Sequence, residues 1–233
     1  MFFLGIFMDI HLNYTEKGEG DPLVLLHGNG GDSGYFVHQT EYFSKSRRVI
    51  AVDTRGHGKS PRGDAPFTIA QFAEDLKDFL DGKKIEKTDI LGFSDGANIA
   101  LTFALKYPER VSRLILNGGN LFPAGVKRSI QIPIEIGYNI ASKFADKSPA
   151  AKKNAELLGL MKNEPDIDPK NLSSLKIKTL VIVGTRDMIR DSHTELIGKS
   201  IPDSRTVRLR GGHFIANKNP EEFNLAVEKF LIL

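Results

Sequence analysis

Short runs of Val, Ile and Leu recur along the chain, with turn-forming residues between them. These runs lack the alternation of apolar and polar positions that marks a strand with one solvated face. They are typical of strands that are buried on both faces of a parallel sheet. The pattern predicts six such strands, at residues 23–26, 48–52, 89–93, 113–116, 179–183 and 206–209.

Apolar residues at helical spacing occur between these runs. The clearest examples are residues 69–80, residues 97–107 with small side chains on one face, and residues 220–231. An apolar residue at every third or fourth position predicts a helix that turns one face toward the core. The alternation of strands and helices predicts an α/β fold with right-handed crossovers and helices on both faces of the sheet.

Residues 121–175 interrupt this alternation because they contain no strand-like run. The segment carries prolines at positions 123, 133, 149, 165 and 169, and its clearest helical pattern covers residues 150–161. A connection of this length without structure of its own is uncommon in a folded domain. We therefore expect a small helical cap at residues 121–175, inserted after the sixth strand into a core formed by residues 1–120 and 176–233.

The sequence G-F-S-D-G at residues 92–96 follows a predicted strand and precedes a predicted helix. A strand, a G-x-S-x-G pattern and a helix in succession are the context of a nucleophile elbow, in which a serine lies on a sharp turn. Gly92 and Gly96 suit such a turn, because a Cβ there would meet neighbouring backbone. The pattern predicts that Ser94 is a nucleophile.

A second glycine-rich stretch, H-G-N-G-G at residues 27–31, follows the first of these predicted strands. The α/β sheets bind ligands at the carboxyl ends of their strands, where this loop would lie. Acyl transfer needs N–H donors directed at the oxyanion of its tetrahedral intermediate. We expect the backbone N–H groups of Asn29 and Asp95 to supply an oxyanion hole. A plain glycine-rich turn is the alternative interpretation.

A serine nucleophile needs a histidine that accepts its proton and an acid that orients the histidine. His213 follows the last predicted strand, and Asp187 follows the strand before it. Asp191 is the second candidate for the acid. The sequence therefore predicts a catalytic triad of Ser94, Asp187 and His213. The other histidines are expected to lie on the surface or to serve the structure: His11, His27, His38, His57 and His193.

These motifs resemble the α/β-hydrolase superfamily over almost the whole chain, and the order of nucleophile, acid and base is the same. The stretch D-T-R-G-H-G-K-S at residues 53–60 also resembles a D-x-R-G-x-G-x-S stretch of many members. The resemblance implies an α/β-hydrolase fold with an eight-stranded, mostly parallel sheet. It also implies helices on both faces, a small helical cap between strands six and seven, and hydrolysis without a metal or another cofactor.

The stretch G-F-S-D-G-A at residues 92–97, with L-N-G-G-N at residues 116–120, resembles the biphenyl-hydrolase-like group and its carboxylesterase relatives. That group includes amino-acid ester hydrolases, in which an acidic residue after the nucleophile faces the ammonium of the substrate. The resemblance therefore implies an ammonium-binding role for Asp95. The alternative is that Asp95 stabilises the start of the following helix, as acidic residues near helix N-termini do.

The triad and the resemblance together lead us to expect a serine hydrolase, first of all a carboxylesterase that cleaves small carboxylic esters. Aminoacyl esters, lactones, thioesters, amides and carbon–carbon bonds stay open, because fold and triad do not fix the substrate. A small-molecule-binding protein without catalysis is a further alternative. Four large apolar residues are candidates for the substrate pocket, with ordinary core packing as the alternative: Phe93, Phe122, Met161 and Phe214.

Composition argues against several other classes of protein. The chain has no cysteine, which excludes disulfides, a cysteine nucleophile and thiolate metal sites. Its 32 basic and 29 acidic residues are mixed along the sequence, so a nucleic-acid partner is not expected. No two histidines have the spacing beside an acidic residue that a zinc-binding helix needs, so no metal site is expected.

The N-terminal sequence M-F-F-L-G-I-F-M has a short apolar run without the basic start and cleavage site of a signal peptide. Met8 is an alternative start to Met1, and the residues after Met8 would then open the first strand. No apolar stretch of the sequence is long enough to span a membrane, so we expect a cytoplasmic protein. Apolar cap faces often form dimer surfaces, so the sequence does not decide between a monomer and a homodimer.

Overall fold

The apolar runs form a single sheet in the computed structural model, which describes residues 9–232. The strands in that range are β1 Tyr14–Lys17, β2 Pro22–Leu26, β3 Arg48–Val52, β4 Thr88–Phe93, β5 Val111–Asn117, β6 Lys178–Gly184 and β7 Ser204–Leu209. Their order across the sheet is β1-β3-β2-β4-β5-β6-β7. Neighbouring strands are parallel except β1 and β3, which are antiparallel.

Helices cover both faces of this sheet. They are α1 Val37–Phe43, α2 Ile69–Gly82, α3 Asp95–Lys106, α4 Arg128–Lys143, α5 Pro149–Asn163, α6 Asp191–Ser200, α7 Ile215–Lys218 and α8 Pro220–Leu231. Val24 and Leu26 of β2 pack in one apolar cluster with α2 and α3, whereas Leu23 and Leu25 pack in another with α1 and α8. The prediction of an α/β fold is confirmed, and the predicted strands β2 to β6 are mostly buried. The prediction that residues 206–209 are buried on both faces is wrong, because β7 lies at the edge of the sheet and no residue of it is buried. None of the helices in residues 9–232 has the length and apolar composition that crossing a bilayer requires.

The expected number of eight strands is wrong, because residues 9–232 contain seven. Met8, where the first strand was expected to open, lies outside the described residues, and residues 9–13 are not a strand. Residues 9–13 bond instead to the loop after β3, and Asn13 N–H donates to Ser60 Oγ at 2.8 Å. The sheet therefore begins at Tyr14, and the inserted segment follows the fifth strand rather than the sixth.

The segment between β5 and β6 is helical. It contains α4, α5 and two short 3-10 helices, at Pro123–Gly125 and Pro169–Ser174. α5 covers the helix that was predicted at residues 150–161, and α4 runs through one of the prolines of the segment. Pro133 lies on the exposed side of α4. Water can therefore solvate the backbone carbonyl that loses its helical partner there.

The carboxyl ends of the parallel strands meet at one edge of the sheet. Gly92 of β4 lies between Leu26 of β2 and Leu116 of β5, and Leu116 pairs in turn with Val181 of β6. The loops that follow these strands therefore leave the sheet side by side. All the polar motifs that the sequence singled out lie in those loops, at the edge where α/β sheets bind their ligands.

Candidate active site

Ser94 lies on the turn between β4 and α3. Its backbone has φ 54° and ψ −120°, which is a strained conformation for a residue with a side chain. A Cβ at Gly92 would lie 2.2 Å from Gly96 O, and a Cβ at Gly96 would lie 2.0 Å from Leu26 O. Both positions therefore require glycine, as the G-x-S-x-G pattern predicted.

Three polar side chains form a hydrogen-bonded relay at this edge of the sheet. Ser94 Oγ lies 3.0 Å from His213 Nε2, and His213 Nδ1 lies 2.7 Å from Asp187 Oδ1. When Nδ1–H donates to the carboxylate, Nε2 is free to accept the serine proton. The structure thus brings the three predicted triad residues within hydrogen-bonding distance of one another.

The turns after β6 and β7 hold the acid and the base of this relay together. Arg186 N–H donates to Gly211 O at 2.8 Å. A Cβ at Gly184 would lie 2.2 Å from Gly212 O, so the two turns touch through their backbones. This backbone contact places the acid next to the histidine independently of their side-chain interaction.

The carboxyl of Asp187 is ionised although it is buried. Burial opposes ionisation, but the hydrogen bond and charge of His213 and the N–H of Ile189 outweigh it, so the pKa of Asp187 lies below its usual value. The second candidate for the acid, Asp191, is exposed and pairs with Arg208 at 2.6 Å. Asp187 is therefore the acid that faces the histidine.

The remaining histidines lie apart from the relay. His27 and His57 are buried in the loops after β2 and β3, and burial lowers the pKa of both, that of His57 to about 4. His193 is buried in α6, where burial lowers its pKa to about 4. His11 and His38 are exposed. In the described part of the chain, no group of three His, Asp or Glu side chains is arranged to hold a metal ion.

The H-G-N-G-G loop after β2 lies directly against the nucleophile turn. A Cβ at Gly28 would lie 3.0 Å from Ser94 Cβ. The N–H groups of Asn29 and Asp95 take no part in the backbone hydrogen bonds between elements of residues 9–232. The Asn29 side chain donates to Leu157 O of α5 at 2.7 Å, which ties the loop to the inserted segment. The oxyanion-binding role of these two N–H groups stays a prediction.

Asp95 follows the nucleophile and is buried at the start of α3. Its Oδ1 accepts a hydrogen bond from Asn98 Nδ2 at 3.1 Å, whereas its Oδ2 has no hydrogen-bond partner within residues 9–232. Burial raises the pKa of Asp95 to about 6, and the amides of Asn29 and Asn98 partly oppose this shift. A buried carboxylate oxygen without a partner is costly unless a proton or a ligand satisfies it.

An aromatic cluster stands beside the histidine of the relay. The ring centre of Phe93 lies 4.9 Å from that of His213 and 5.5 Å from that of Phe214. Tyr35, which no sequence motif marks, stacks on Phe93 with ring centres 4.3 Å apart. Phe214 is 55% exposed, so its ring is open to a bound molecule. Two of the four predicted pocket residues therefore adjoin the relay.

The other two predicted pocket residues belong to the inserted segment. Phe122 packs edge-on against His193, with 4.7 Å between the ring centres. Met161 is half-buried on α5, one turn after Leu157. A role of Phe122 or Met161 in substrate binding stays a prediction.

Gly118 also touches the relay, although no role was predicted for it. Its φ of +63° lies in the left-handed region, and a Cβ there would lie 2.9 Å from His213 Cε1 and 3.5 Å from Asp187 Oδ2. Glycine is therefore required twice, by the backbone conformation and by the close approach of the imidazole. The sequence feature that marks this position is the glycine pair Gly118-Gly119 directly after a buried strand.

Comparison with known proteins agrees with this architecture. Residues 21–135 match the family model of the alpha/beta hydrolase fold. The chain is 31% identical over 261 residues to 2-hydroxymuconate semialdehyde hydrolase of Pseudomonas putida, an alignment that covers 94% of this chain and 90% of that protein. It is 27% identical to serine hydrolase BPHL of Homo sapiens, over 95% of this chain and 83% of that protein.

The fold is also that of a solved enzyme. The crystal structure of the enol-lactonase from Burkholderia xenovorans LB400 aligns with a TM-score of 0.81 and 22% identity, covering 96% of this chain and 97% of that one. At this identity the likeness concerns the fold alone. With the family model and the relative from Pseudomonas putida, it leads to one conclusion: the chain belongs to the α/β-hydrolase family. The resemblance that the sequence motifs carried is confirmed.

Proposed function

We propose that this α/β hydrolase is a serine hydrolase that cleaves small carboxylic esters, with Ser94 as nucleophile, His213 as base and Asp187 as the orienting acid. The observation that carries the proposal is the relay from Ser94 Oγ through both ring nitrogens of His213 to the buried carboxylate of Asp187. The names of the relatives support hydrolysis but do not name a simple ester as the substrate. The choice of esters therefore rests on the site.

Acylation begins when Ser94 Oγ attacks the carbonyl carbon of the ester and its proton moves to His213 Nε2. Asp187 keeps the imidazole in the correct tautomer and stabilises the imidazolium. The N–H groups of Asn29 and Asp95 receive the charge on the carbonyl oxygen, and the dipole of α3 adds to this stabilisation. His213 then protonates the leaving alcohol, and the acyl group stays on Ser94.

Deacylation repeats these steps with water as the nucleophile. His213 Nε2 accepts a proton from the attacking water and returns it to Ser94 Oγ when the acyl–oxygen bond breaks. Residues 121–175 serve as a cap on a core of residues 1–120 and 176–233, which limits the access of solvent to the acyl-enzyme. The hydrogen bond from Asn29 to Leu157 O is one contact between that cap and the oxyanion loop.

A series of p-nitrophenyl esters from acetate to decanoate tests this proposal and measures the pocket. Short esters are expected to be the best substrates, because the aromatic rings of Phe93 and Phe214 lie next to His213. Phe214→Ala should shift the preference toward longer chains by about threefold to tenfold in kcat/KM, the effect of a few methylene groups in an apolar pocket. Val37→Ala removes an exposed apolar side chain elsewhere and should leave the profile unchanged. An identical profile for Phe214→Ala would remove that ring from the pocket.

The same assay separates the alternatives on this triad. A lactone, a thioester and 2-hydroxymuconate semialdehyde, the compound in the name of a relative, are measured in parallel. Faster turnover of one of them than of every simple ester would replace esters by that substrate class. If a folded protein turned over none of them but was stabilised by one of them, it would be a small-molecule-binding protein.

Aminoacyl esters are the second candidate substrates, and the unpartnered Oδ2 of buried Asp95 favours them. An ionised carboxylate beside the nucleophile would attract the ammonium of an α-amino ester. The pKa of Asp95 is about 6, and that of an α-amino group is about 7.7–8.0. The two groups are therefore both charged between about pH 6 and pH 8, and the attraction disappears on either side of that range.

We expect the ratio of kcat/KM for an α-amino ester to that of its analogue without the amino group to rise as the pH increases from 5 to 7. Asp95→Asn keeps the backbone N–H and the shape of the side chain but removes the charge, so this variant should show a flat ratio. A ratio that does not change with pH in the wild type would leave Asp95 only its structural role at the start of α3. Hydrolysis of simple esters would be unaffected by that outcome.

A further inference from the structure

The segment that enters the cap is fastened to the loop that carries the triad acid. We call residues 121–127 the entry strap and residues 185–190 the acid loop. An isolated antiparallel β-bridge between Val126 and Ile189 joins them, and the hydrogen bond from Arg190 N–H to Gly125 O at 2.9 Å is one of the two backbone bonds of this bridge. The cap and the acid are therefore connected by direct contacts, outside the relay itself.

Lys127, the last residue of the entry strap, makes the contacts nearest to the acid. Its backbone N–H donates to Met188 O at 2.9 Å, and its side-chain Nζ donates to the backbone carbonyl oxygen of Asp187. The side chain is half-buried, and no carboxylate of residues 9–232 lies within ion-pair distance of its ammonium. Lys127 thus uses its charge on a main-chain carbonyl of the acid loop rather than on a surface ion pair.

The position of this contact matters because, apart from His213, only the turn of Asp187 itself anchors its carboxylate within residues 9–232. Its Oδ1 accepts from Ile189 N–H at 3.0 Å and faces His213 at 2.7 Å, whereas its Oδ2 has no partner in the described part of the chain. A rotation of the peptide after Asp187 would therefore move the carboxylate away from the imidazole. Lys127 opposes that rotation by holding both carbonyls of the turn, those of Asp187 and Met188.

We propose that Lys127 is a positioning residue for the reaction: its hydrogen bonds to the acid loop hold Asp187 in register with His213 and so couple catalysis to the cap. The proposal rests on the triad function proposed above. Lys127 does not touch the reacting atoms, and it acts through the geometry of Asp187. The contact is charge-assisted, and such bonds are about twice as strong as neutral ones.

The test compares Lys127→Met and Lys127→Arg with Lys143→Met in ester hydrolysis. Lys143 is the last residue of α4, which Lys127 directly precedes; it is exposed and forms no ion pair within residues 9–232, so its substitution controls for the loss of a lysine at the opposite end of that helix. We expect Lys127→Met to lower kcat by about tenfold to a hundredfold at nearly constant KM, as small displacements of catalytic groups do. Lys127→Arg keeps a charged N–H donor and should recover most of the loss.

Two further measurements distinguish positioning from general support of the fold. In an Asp187→Asn background, Lys127→Met should change kcat by less than about twofold, because the group it positions has already been altered. The low-field proton resonance of His213 Nδ1–H against Asp187 should be lost or shifted in Lys127→Met and retained in Lys143→Met. Lys127→Ala, which also lacks a side-chain donor, replaces Lys127→Met under the same criteria if the latter does not fold.

A folded Lys127→Met protein with the wild-type kcat and the wild-type proton resonance would overturn the proposal. A loss of kcat that is equally large in the Asp187→Asn background would also overturn it, because Lys127 would then act on another group. The failure of the triad function is recognised separately. If Ser94→Ala hydrolysed esters as fast as the wild type, the proposed function would fail whatever Lys127 did.

Discussion

Ser94→Ala and His213→Ala are each expected to lower kcat for a p-nitrophenyl ester by about ten-thousandfold or more, with little effect on KM. Ser94→Ala removes the oxygen that attacks the carbonyl, and His213→Ala removes the group that takes its proton. The two side chains act as one unit through the 3.0 Å contact between Ser94 Oγ and His213 Nε2. The double variant should therefore be about as slow as either single variant, not slower by the product of the two losses.

Matched controls exist for both substitutions. His38→Ala removes an exposed histidine, and Ser44→Ala removes a half-exposed serine at the end of α1, both distant in sequence from the relay. Both controls should keep the kcat of the wild type. If the losses of kcat multiplied in the double variant, the serine and the histidine would act independently, which would contradict the proposed relay.

Gly118→Ala is expected to damage both stability and catalysis. Its φ of +63° is unfavourable for alanine, which should lower the free energy of unfolding by about 1–2 kcal/mol. The added Cβ would also lie 2.9 Å from His213 Cε1 and force the imidazole to move. A displaced base should lower kcat by about a hundredfold. Unfolding in urea and ester hydrolysis measure the two effects separately.

Gly20→Ala is the control for the backbone part of this effect. Gly20 has φ +104°, and a Cβ there would lie 3.3 Å from Ser46 O, in the turn between β1 and β2. Gly20→Ala should therefore lose stability but keep the wild-type kcat. If Gly118→Ala lost stability to the same extent and also kept its kcat, the imidazole would not be confined by residue 118.

The parts of the site that the sequence predicted are those that closely follow parallel strands. Ser94, Asp187 and His213 each lie within four residues of the end of a strand. Parallel strands bring such residues to one edge, so chain order and strand pattern together were enough to choose them. Asn29 and Asp95 were predicted for the same reason, and their oxyanion-binding role stays a prediction.

The contacts that the sequence did not predict depend on tertiary packing. α4 continues through Pro133 because the proline lies on the exposed side of the helix. Tyr35 reaches the site by stacking on Phe93, and no local pattern encodes that contact. Lys127 meets the acid loop across 60 positions of sequence, because the inserted segment folds back onto the loop after β6. Residues 9–13 form no strand for the same kind of reason, since they bond to the loop after β3.

The most direct test of the triad is covalent labelling with a fluorophosphonate, followed by intact mass and peptide mapping. A fluorophosphonate reacts with a serine that a histidine activates. The wild type should therefore gain one adduct, on Ser94. Ser94→Ala should gain none, and His213→Ala should react far more slowly. A folded wild-type protein that stays unlabelled, or that carries the adduct on another residue, would contradict the assignment of Ser94 as the nucleophile.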